Sequence, residues 1–517
     1  MSGEGGRLLA GLAGPVFFTL AGLGLTTALP ALRARHPAVR AAYAYLLGLA
    51  WVAGSAYTLS HVLALPLERP LFVALGLVGA APALAGWNRG VPRKPMRPGA
   101  RSPWDAAALA VGALIYAGVL AEALTNPVWD FDGQLTWGAQ ARYVRAERTV
   151  DARTLADPAI YVTNPRHPLL MPLAQVAAYE LFGLDDDRVI RPLYAALFPA
   201  FLLVLHDAAA SLAGRRAAAI AVLVACVTRI LPFGLGGGAA GTFSDFPLAC
   251  FLGGGLAVLL TRRPRAGCGV AGGLLLSAAV LTKSEGSLLT VGVLAAASLA
   301  MGRARFRRDG WQSIGLASLL VLLAAVLLAS WRSGIPARYD QRIPILAREL
   351  LAAPDPIGLG AQRLAAALPE LGLTLIRRKP WAFLWPFVAV LLGLGWRRVR
   401  GHLVLALSLP LLAAAAVAAA YVCVTPDSAS QVPFFWPRLL VHTALPTFLL
   451  VALGARAMKK ALRAPSACVD PGSMESGDGL SSGRIPTTEA RWNSSRGSMP
   501  PSCRPRRRTR RCTSEDS

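Results

Sequence analysis

Apolar stretches alternate with short polar connections through most of the chain. They fall near residues 8–31, 41–66, 71–88, 105–124, 191–213, 217–231, 244–260, 267–282, 286–301, 311–331, 381–396, 403–424 and 438–455. Ala and Leu dominate them. A hydrocarbon core about 30 Å thick takes about 20 helical residues. A backbone inside lipid must satisfy its own hydrogen bonds, which a helix does. The pattern predicts an all-α, polytopic transmembrane helical bundle of about 13 spans, and nothing in it reads as barrel strands.

The polar connections orient the bundle. Arg33, Arg35 and Arg40 follow the first stretch, and Arg89, Arg93, Lys94, Arg97 and Arg101 precede the fourth. Arg215 and Arg216, then Arg262, Arg263 and Arg265, then Arg303, Arg305, Arg307 and Arg308 come later. Arg397, Arg398, Arg400, Lys459, Lys460 and Arg463 close the series. With thirteen spans all these clusters share one side. Basic loops stay cytoplasmic, so the N-terminus is expected outside and the C-terminus inside. A signal peptide is the alternative for 1–31, but no small-residue cleavage site follows, which favours an anchor.

Two outside connections are long, 125–190 and 332–380. The first holds an apolar run, Pro168 to Phe182, too short for a span. It reads as a helix lying at the outer membrane surface. The second, carrying Pro336, Pro344, Pro354 and Pro356, predicts short helices. Three regions result: an N-terminal three-span extension with its basic loop (1–104), a transmembrane module (105–463) and a Ser-, Pro- and Arg-rich tail read as disordered and cytoplasmic (464–517).

Composition agrees with this picture. Of 517 residues, 54% are hydrophobic and 16% charged, against about 25% charged in soluble domains. The net charge of +25 would suggest nucleic acid in a soluble protein. Here the basic loops account for most of it, and nucleic acid is not an expected partner; membrane lipids are. The cysteines have neither metal-site nor disulfide spacing.

Some ionisable groups fall outside or at the outer membrane face: Asp130, Asp132, Asp245, Glu285, His167, Arg191, Arg229, Lys283 and Arg438. Charges beside hydrocarbon are costly and mark function by default. In Trp129-Asp130-Phe131-Asp132-Gly133, two carboxylates can bind a divalent cation, or one can take a proton from an attacking hydroxyl. Alternatively, Asp132 caps a helix starting at Gly133. Trp129 and Trp137 are interfacial anchors or platforms for a sugar ring. Ser244-Asp245-Phe246-Pro247 reads as an N-cap or as part of a site. Thr282-Lys283-Ser284-Glu285-Gly286 is a polar hairpin tip, or a place where Lys283 grips a phosphate. Arg438, below Phe434-Phe435-Trp436-Pro437, and Arg229 either snorkel or bind phosphate. His167 before Pro168 is a surface residue or a catalyst.

Five pieces occur in order: Phe131-Asp132 with Trp137 to Arg142; His167-Pro168-Leu169-Leu170-Met171-Pro172; Ser244-Asp245-Phe246-Pro247-Leu248-Ala249; Thr282-Lys283-Ser284-Glu285-Gly286; and Arg438-Leu439-Leu440 with Pro446. Together they resemble the C-type glycosyltransferase superfamily, in particular protein O-mannosyltransferases, the aminoarabinose transferase acting on lipid A, and lipopolysaccharide-core transferases of rhizobial type. The resemblance covers roughly 125–300 and, more loosely, 425–447.

It implies an integral-membrane transferase of hexosyl or pentosyl units. The donor would be a polyprenyl-phosphate-linked sugar, and the acceptor an extracytoplasmic glycan, lipid or protein. It implies a catalytic carboxylate at Asp132, with Asp130 second and Asp245 in support, and lipid-phosphate contacts at Lys283 and Arg438. His167, Glu285, Arg229 and Trp137 complete the expected substrate site. Binding of a water-soluble nucleotide is not required, no cofactor is specified, and a divalent cation at Asp130 and Asp132 stays open. The expected location is the bacterial cytoplasmic membrane. Two features depart from the family: three spans precede its usual first one, and its acidic pair is split as Asp-Phe-Asp. A transporter or flippase, and a polymerase or ligase of surface glycans, are the alternatives.

Overall fold

The computed structural model describes residues 4–87, 103–157, 159–160, 163–234, 237–260, 266–305, 308–336, 342–376, 381, 383–395, 401–426 and 428–462. The tail predicted at 464–517 lies outside them. The fold is all-helical, with no strand among the described residues.

The chain opens with α1 (Glu4–Ala28), α2 (Pro37–Leu63), α3 (Arg69–Trp87) and α4 (Pro103–Thr125). A π-helical turn (Gly133–Gly138) runs directly into α5 (Ala139–Glu147), and α6 (Leu170–Phe182) follows. Next come α7 (Leu197–Ala213), α8 (Arg215–Val227), α9 (Asp245–Leu259), α10 (Ala266–Val280), α11 (Gly286–Arg305) and α12 (Arg308–Ser333). Then come α13 (Arg342–Leu351), α14 (Pro356–Ile376), α15 (Leu384–Gly395), α16 (Gly401–Val424), α17 (Ser428–Val441) and α18 (Ala444–Leu462).

Each apolar segment of the sequence falls on one helix, or on two joined by a short break. By length and composition, however, only six helices among the described residues can cross a membrane, or seven if α17 and α18, bent by 68° at their junction, form one span. The expected thirteen are not reached. A 15-residue helix such as α9 or α10 rises only about 22 Å, short of about 30 Å of hydrocarbon. α9 is buried along its whole length, so protein rather than lipid surrounds it.

Two further expectations change. The run ending at Phe182 is not a helix against a membrane surface. From Leu170 to Tyr179 α6 is buried, packed on α2, α3 and α5. A helix apolar on all sides belongs inside the protein. The second long connection also holds a 21-residue helix, α14, rather than short pieces alone.

Contacts sort the loops into two sets. Arg35 pairs with Asp207, while His206 and Arg215 reach Asp105 at 3.3 and 3.6 Å. Arg456 donates to the Leu212 carbonyl at 2.5 Å. In the other set the Leu67 N–H donates to the Arg148 carbonyl at 2.8 Å, and Trp331 Nε1 to the Val150 carbonyl at 2.9 Å. Loops that share a side in the charge pattern thus meet one another, and the candidate residues lie in the second set.

α1 crosses α2 at very short range. A Cβ on Gly22 would overlap the Ala44 carbonyl, and one on Gly48 the Phe18 carbonyl. Small residues at such crossings let backbones approach closely. Gly22→Val and Gly48→Val are each expected to cost at least about 1–3 kcal/mol through overpacking. A methyl group added at Gly54 would meet nothing within 4 Å, so Gly54→Ala is the neutral control. Thermal unfolding of the purified chain in detergent checks this.

Candidate functional site

The site is built on a pinned loop. Arg191 is buried and donates to the carbonyls of Glu122 (3.1 Å), Asn126 (2.7 Å), Pro127 (3.2 Å) and Ala240 (2.6 Å), and to Glu122 Oε1 at 3.1 Å. Those bonds fasten the end of α4 to the loop before α9. Asp130 adds a second fastening. Its Oδ1 accepts the Gly133 N–H at 2.7 Å, and its Oδ2 accepts the Thr242 N–H and Oγ1 at 3.1 and 2.9 Å. Asp130 therefore does the local turn-closing work that the sequence offered to Asp132.

Asp132 stands at the start of the π-helical turn without making a capping bond. Its carboxylate lies instead 2.7 Å from Arg438 Nη2. The same nitrogen and Arg438 Nε reach Asp245 Oδ2 at 2.8 and 3.1 Å. The guanidinium stacks 4.6 Å from the centre of the Phe243 ring, a cation–π contact that also shields it from water.

Asp245 is fully buried at the first turn of α9. Its Oδ1 accepts from Lys283 Nζ at 2.8 Å and faces His442 Nε2 at 2.9 Å. Lys283 Nζ also lies 3.5 Å from Glu285 Oε1. Four separate segments thus contribute to one ion network: the turn after α4, the start of α9, the tip between α10 and α11, and the bend at α17 and α18. A buried charge persists only when paired and hydrogen-bonded, and this arrangement meets that condition.

Beside it, His167 Nδ1 lies 3.2 Å from Ser284 Oγ, and its ring packs 5.2 Å from the Trp137 ring. Arg332 Nη2 donates to the same Ser284 oxygen at 2.7 Å. Burial is the main force holding His167 down to about 4; Lys283 and Arg332 reinforce it, while Glu285 and Asp132 oppose it. Burial pushes the Glu285 carboxyl up, but Lys283, His442 and His167 outweigh it, leaving the group below its usual value. Burial likewise pulls the Lys283 ammonium down, but Asp245 and Glu285 raise it above its usual value. Glu285 therefore stays ionised and Lys283 charged near neutrality.

Of the sequence-derived candidates, Asp132, Asp245, Lys283, Glu285 and Arg438 meet directly, with His167 and Trp137 alongside. Asp130 and Arg191 are fastenings behind them. Arg229 is exposed at the start of the Ile230–Phe233 turn and does not join the network. Asp130 and Asp132 do not fit a shared cation, because Asp130 is occupied by three N–H and O–H donors and Asp132 by a guanidinium. No group of three or more His, Cys, Asp or Glu suited to a metal occurs among the described residues.

His442 is absent from the candidates that the sequence suggests. Its signal is the spacing Arg438-x-x-x-His442, with the histidine in the break just after α17. Several buried polar atoms around the network lack partners among the described residues: Thr136 Oγ1, Trp137 Nε1, Ser244 Oγ, Glu285 Oε2 and His442 Nδ1. Each costs about 1–3 kcal/mol.

A second group has the order of a Ser–His–Asp triad. His61 Nδ1 lies 3.0 Å from Asp151, and its Nε2 lies 3.1 Å from Ser330 Oγ. Ser330 sits in the continuous helix α12, whose N–H groups are spent on the preceding turn. That element therefore supplies no oxyanion donors, and the group acts as a tie between α2, the 149–152 loop and α12.

Two outcomes follow from the network. Asp245→Asn leaves buried cations undercompensated and is expected to cost about 3–5 kcal/mol. Asp132→Asn, at a side chain 27% exposed, costs less than about 1 kcal/mol; thermal unfolding compares them. The unfolded chain protonates His167 near 6.5 and the folded chain only near 4. Its contribution is full above the upper value and is lost as pH falls through that window. In His167→Gln the acid-side loss of unfolding temperature is smaller. The chain matches no protein-family model, no curated protein and no solved structure, so the reading of this site rests on its own geometry.

Proposed function

We propose that the chain is an integral-membrane glycosyltransferase that moves a sugar from a polyprenyl-phosphate-linked donor to a glycan, lipid or protein acceptor outside the bacterial cytoplasmic membrane. The observation that carries this reading is the position of Arg438, whose Nη2 is shared by Asp132 at 2.7 Å and Asp245 at 2.8 Å. A base and a phosphate-binding cation are thereby coupled. The long apolar helices and the one-sided basic clusters support a multi-pass topology with the site facing outward.

In the resting network Arg438 neutralises Asp132. A donor phosphate is a stronger planar partner for a guanidinium. As it draws Arg438 toward itself, Asp132 loses its counter-charge and accepts the proton of the acceptor hydroxyl. The acceptor oxygen attacks the anomeric carbon as the bond to the phosphate oxygen breaks. Arg438 and Lys283 stabilise the charge that develops on the leaving phosphate. A single displacement of this kind inverts the anomeric centre. The partnerless polar atoms on Thr136, Trp137 and Ser244 supply groups for sugar hydroxyls. The polyprenyl tail stays in lipid.

One feature favours a second reading, a transporter or flippase. α17 and α18 bend by 68° at a break that holds His442 and follows Arg438 by one turn, and broken charged helices are common at transport sites. The two readings separate in one assay. Membranes holding the wild-type chain are given defined, sugar-labelled polyprenyl phosphates. Label should pass to an acceptor, and Asp132→Asn should lower the rate by about 10²–10⁴-fold, the usual worth of a general base, while staying in the membrane fraction. Full activity in Asp132→Asn rejects the assignment, and movement of intact lipid-linked sugar without transfer selects the transporter.

A further inference from the structure

A cavity of about 520 Å³ opens on the same set of loops, away from the ion network. It lies between the start of α3, the outer face of α5 and the end of α6. Four guanidiniums line it, from Arg69, Arg142, Arg145 and Arg148. Its size falls within the usual range for ligand sites.

Two of the arginines are already matched. Arg145 Nε bonds Glu180 at 2.8 Å, its Nη1 bonds Asp185, and it stacks 5.3 Å from the Tyr179 ring centre. Arg148 Nη1 bonds Glu68 at 2.5 Å. The other two have no carboxylate partner among the described residues. Arg69 Nε donates to the Glu180 carbonyl at 2.8 Å, and Arg142 Nη2 to the Gln134 carbonyl at 3.3 Å. Each keeps further N–H donors in a fork that suits a planar oxyanion. The acids that hold Arg145 and Arg148 also set a limit, because three carboxylates on the wall repel a polyanion. The lining suits one acidic group and offers Glu68, Glu180 and Asp185 as acceptors for hydroxyls.

Position gives this lining its meaning. α5 continues the helical turn that begins beside Asp132, and Arg142 lies nine residues after Gly133. At about 1.5 Å per residue that is about 14 Å. A short oligosaccharide can reach from one to the other. We propose that the cavity is an acceptor subsite that holds a single acidic group, phosphate or carboxylate, on a saccharide whose attacking hydroxyl lies at Asp132. The proposal rests on the glycosyltransferase reading.

Binding tests it without turnover. The full chain is placed in nanodiscs of phosphatidylcholine and titrated with glucuronate, glucose 6-phosphate and glucose. The two acidic sugars should bind and glucose should not. Arg69→Gln and Arg142→Gln should each weaken binding by about tenfold or more, the worth of a charge-assisted hydrogen bond. Arg229→Gln, at an exposed arginine outside the cavity lining, should leave it unchanged; because binding is read without turnover, failure of the transferase chemistry and failure of this subsite are distinguishable. Equal binding of glucose, or wild-type affinity in both arginine variants, overturns the proposal. In nanodiscs containing phosphatidylglycerol the sugars should still bind; their complete displacement by that lipid would make the cavity a headgroup site and overturn its assignment to the acceptor.

Discussion

The carboxylate of Asp245 has no contact with water and so must be compensated within the protein. An ionised group in that position costs several kcal/mol unless charges and donors surround it. Lys283, Arg438 and His442 surround it, and each comes from a part of the chain remote in sequence. The requirement for compensation therefore dictates where the tip between α10 and α11 sits, how α17 approaches α9, and why the bend before α18 carries an imidazole. Asp132 enters only at the edge, through a guanidinium that already has another partner. The result is a rigid centre with one labile corner, and the labile corner is where the proposed chemistry occurs.

Much of the helical layout could be read from hydropathy alone, since period and length survive in any environment. Span count could not, because hydropathy does not distinguish a helix wrapped by protein from one wrapped by lipid. α6 and α9 are the instructive examples: both are largely apolar, and α9 along its whole length and α6 from Leu170 to Tyr179 are buried. The charge pattern along the loops was more informative than any single segment. It grouped Arg35 with Arg215 and separated both from Lys283 and Arg438, and the contacts group them the same way.

For the site, the sequence could point to polar residues in costly places but could not pair them. It could not tell Asp130 from Asp132, two residues apart. Geometry separates them: one faces backbone N–H groups and the other a guanidinium. Arg191 and Arg438 looked equally exceptional as outer arginines, yet one fastens carbonyls and the other bridges acids. His442 escaped notice because a lone histidine in an apolar helix is usually a packing residue. Only its distance to Asp245 changes that. The pocket around Arg69 and Arg142 was equally hidden, since its walls come from the start of α3, from α5 and from the end of α6.

The leading helices have a mechanical role that their position in the sequence conceals. α1 and α2 interlock through glycines, α1 rests against Pro192 and Leu193, and the Tyr45 hydroxyl donates to the Leu193 carbonyl. Those residues immediately follow Arg191, which grips the loop leading to Asp132. The first two helices are thus a buttress rather than an appendage. A displacement of α2 relative to α7 would tilt that arginine, and with it the carboxylate, by leverage alone. A lipid or protein that leaned on the amino-terminal pair could set the reactivity of a group it never approaches.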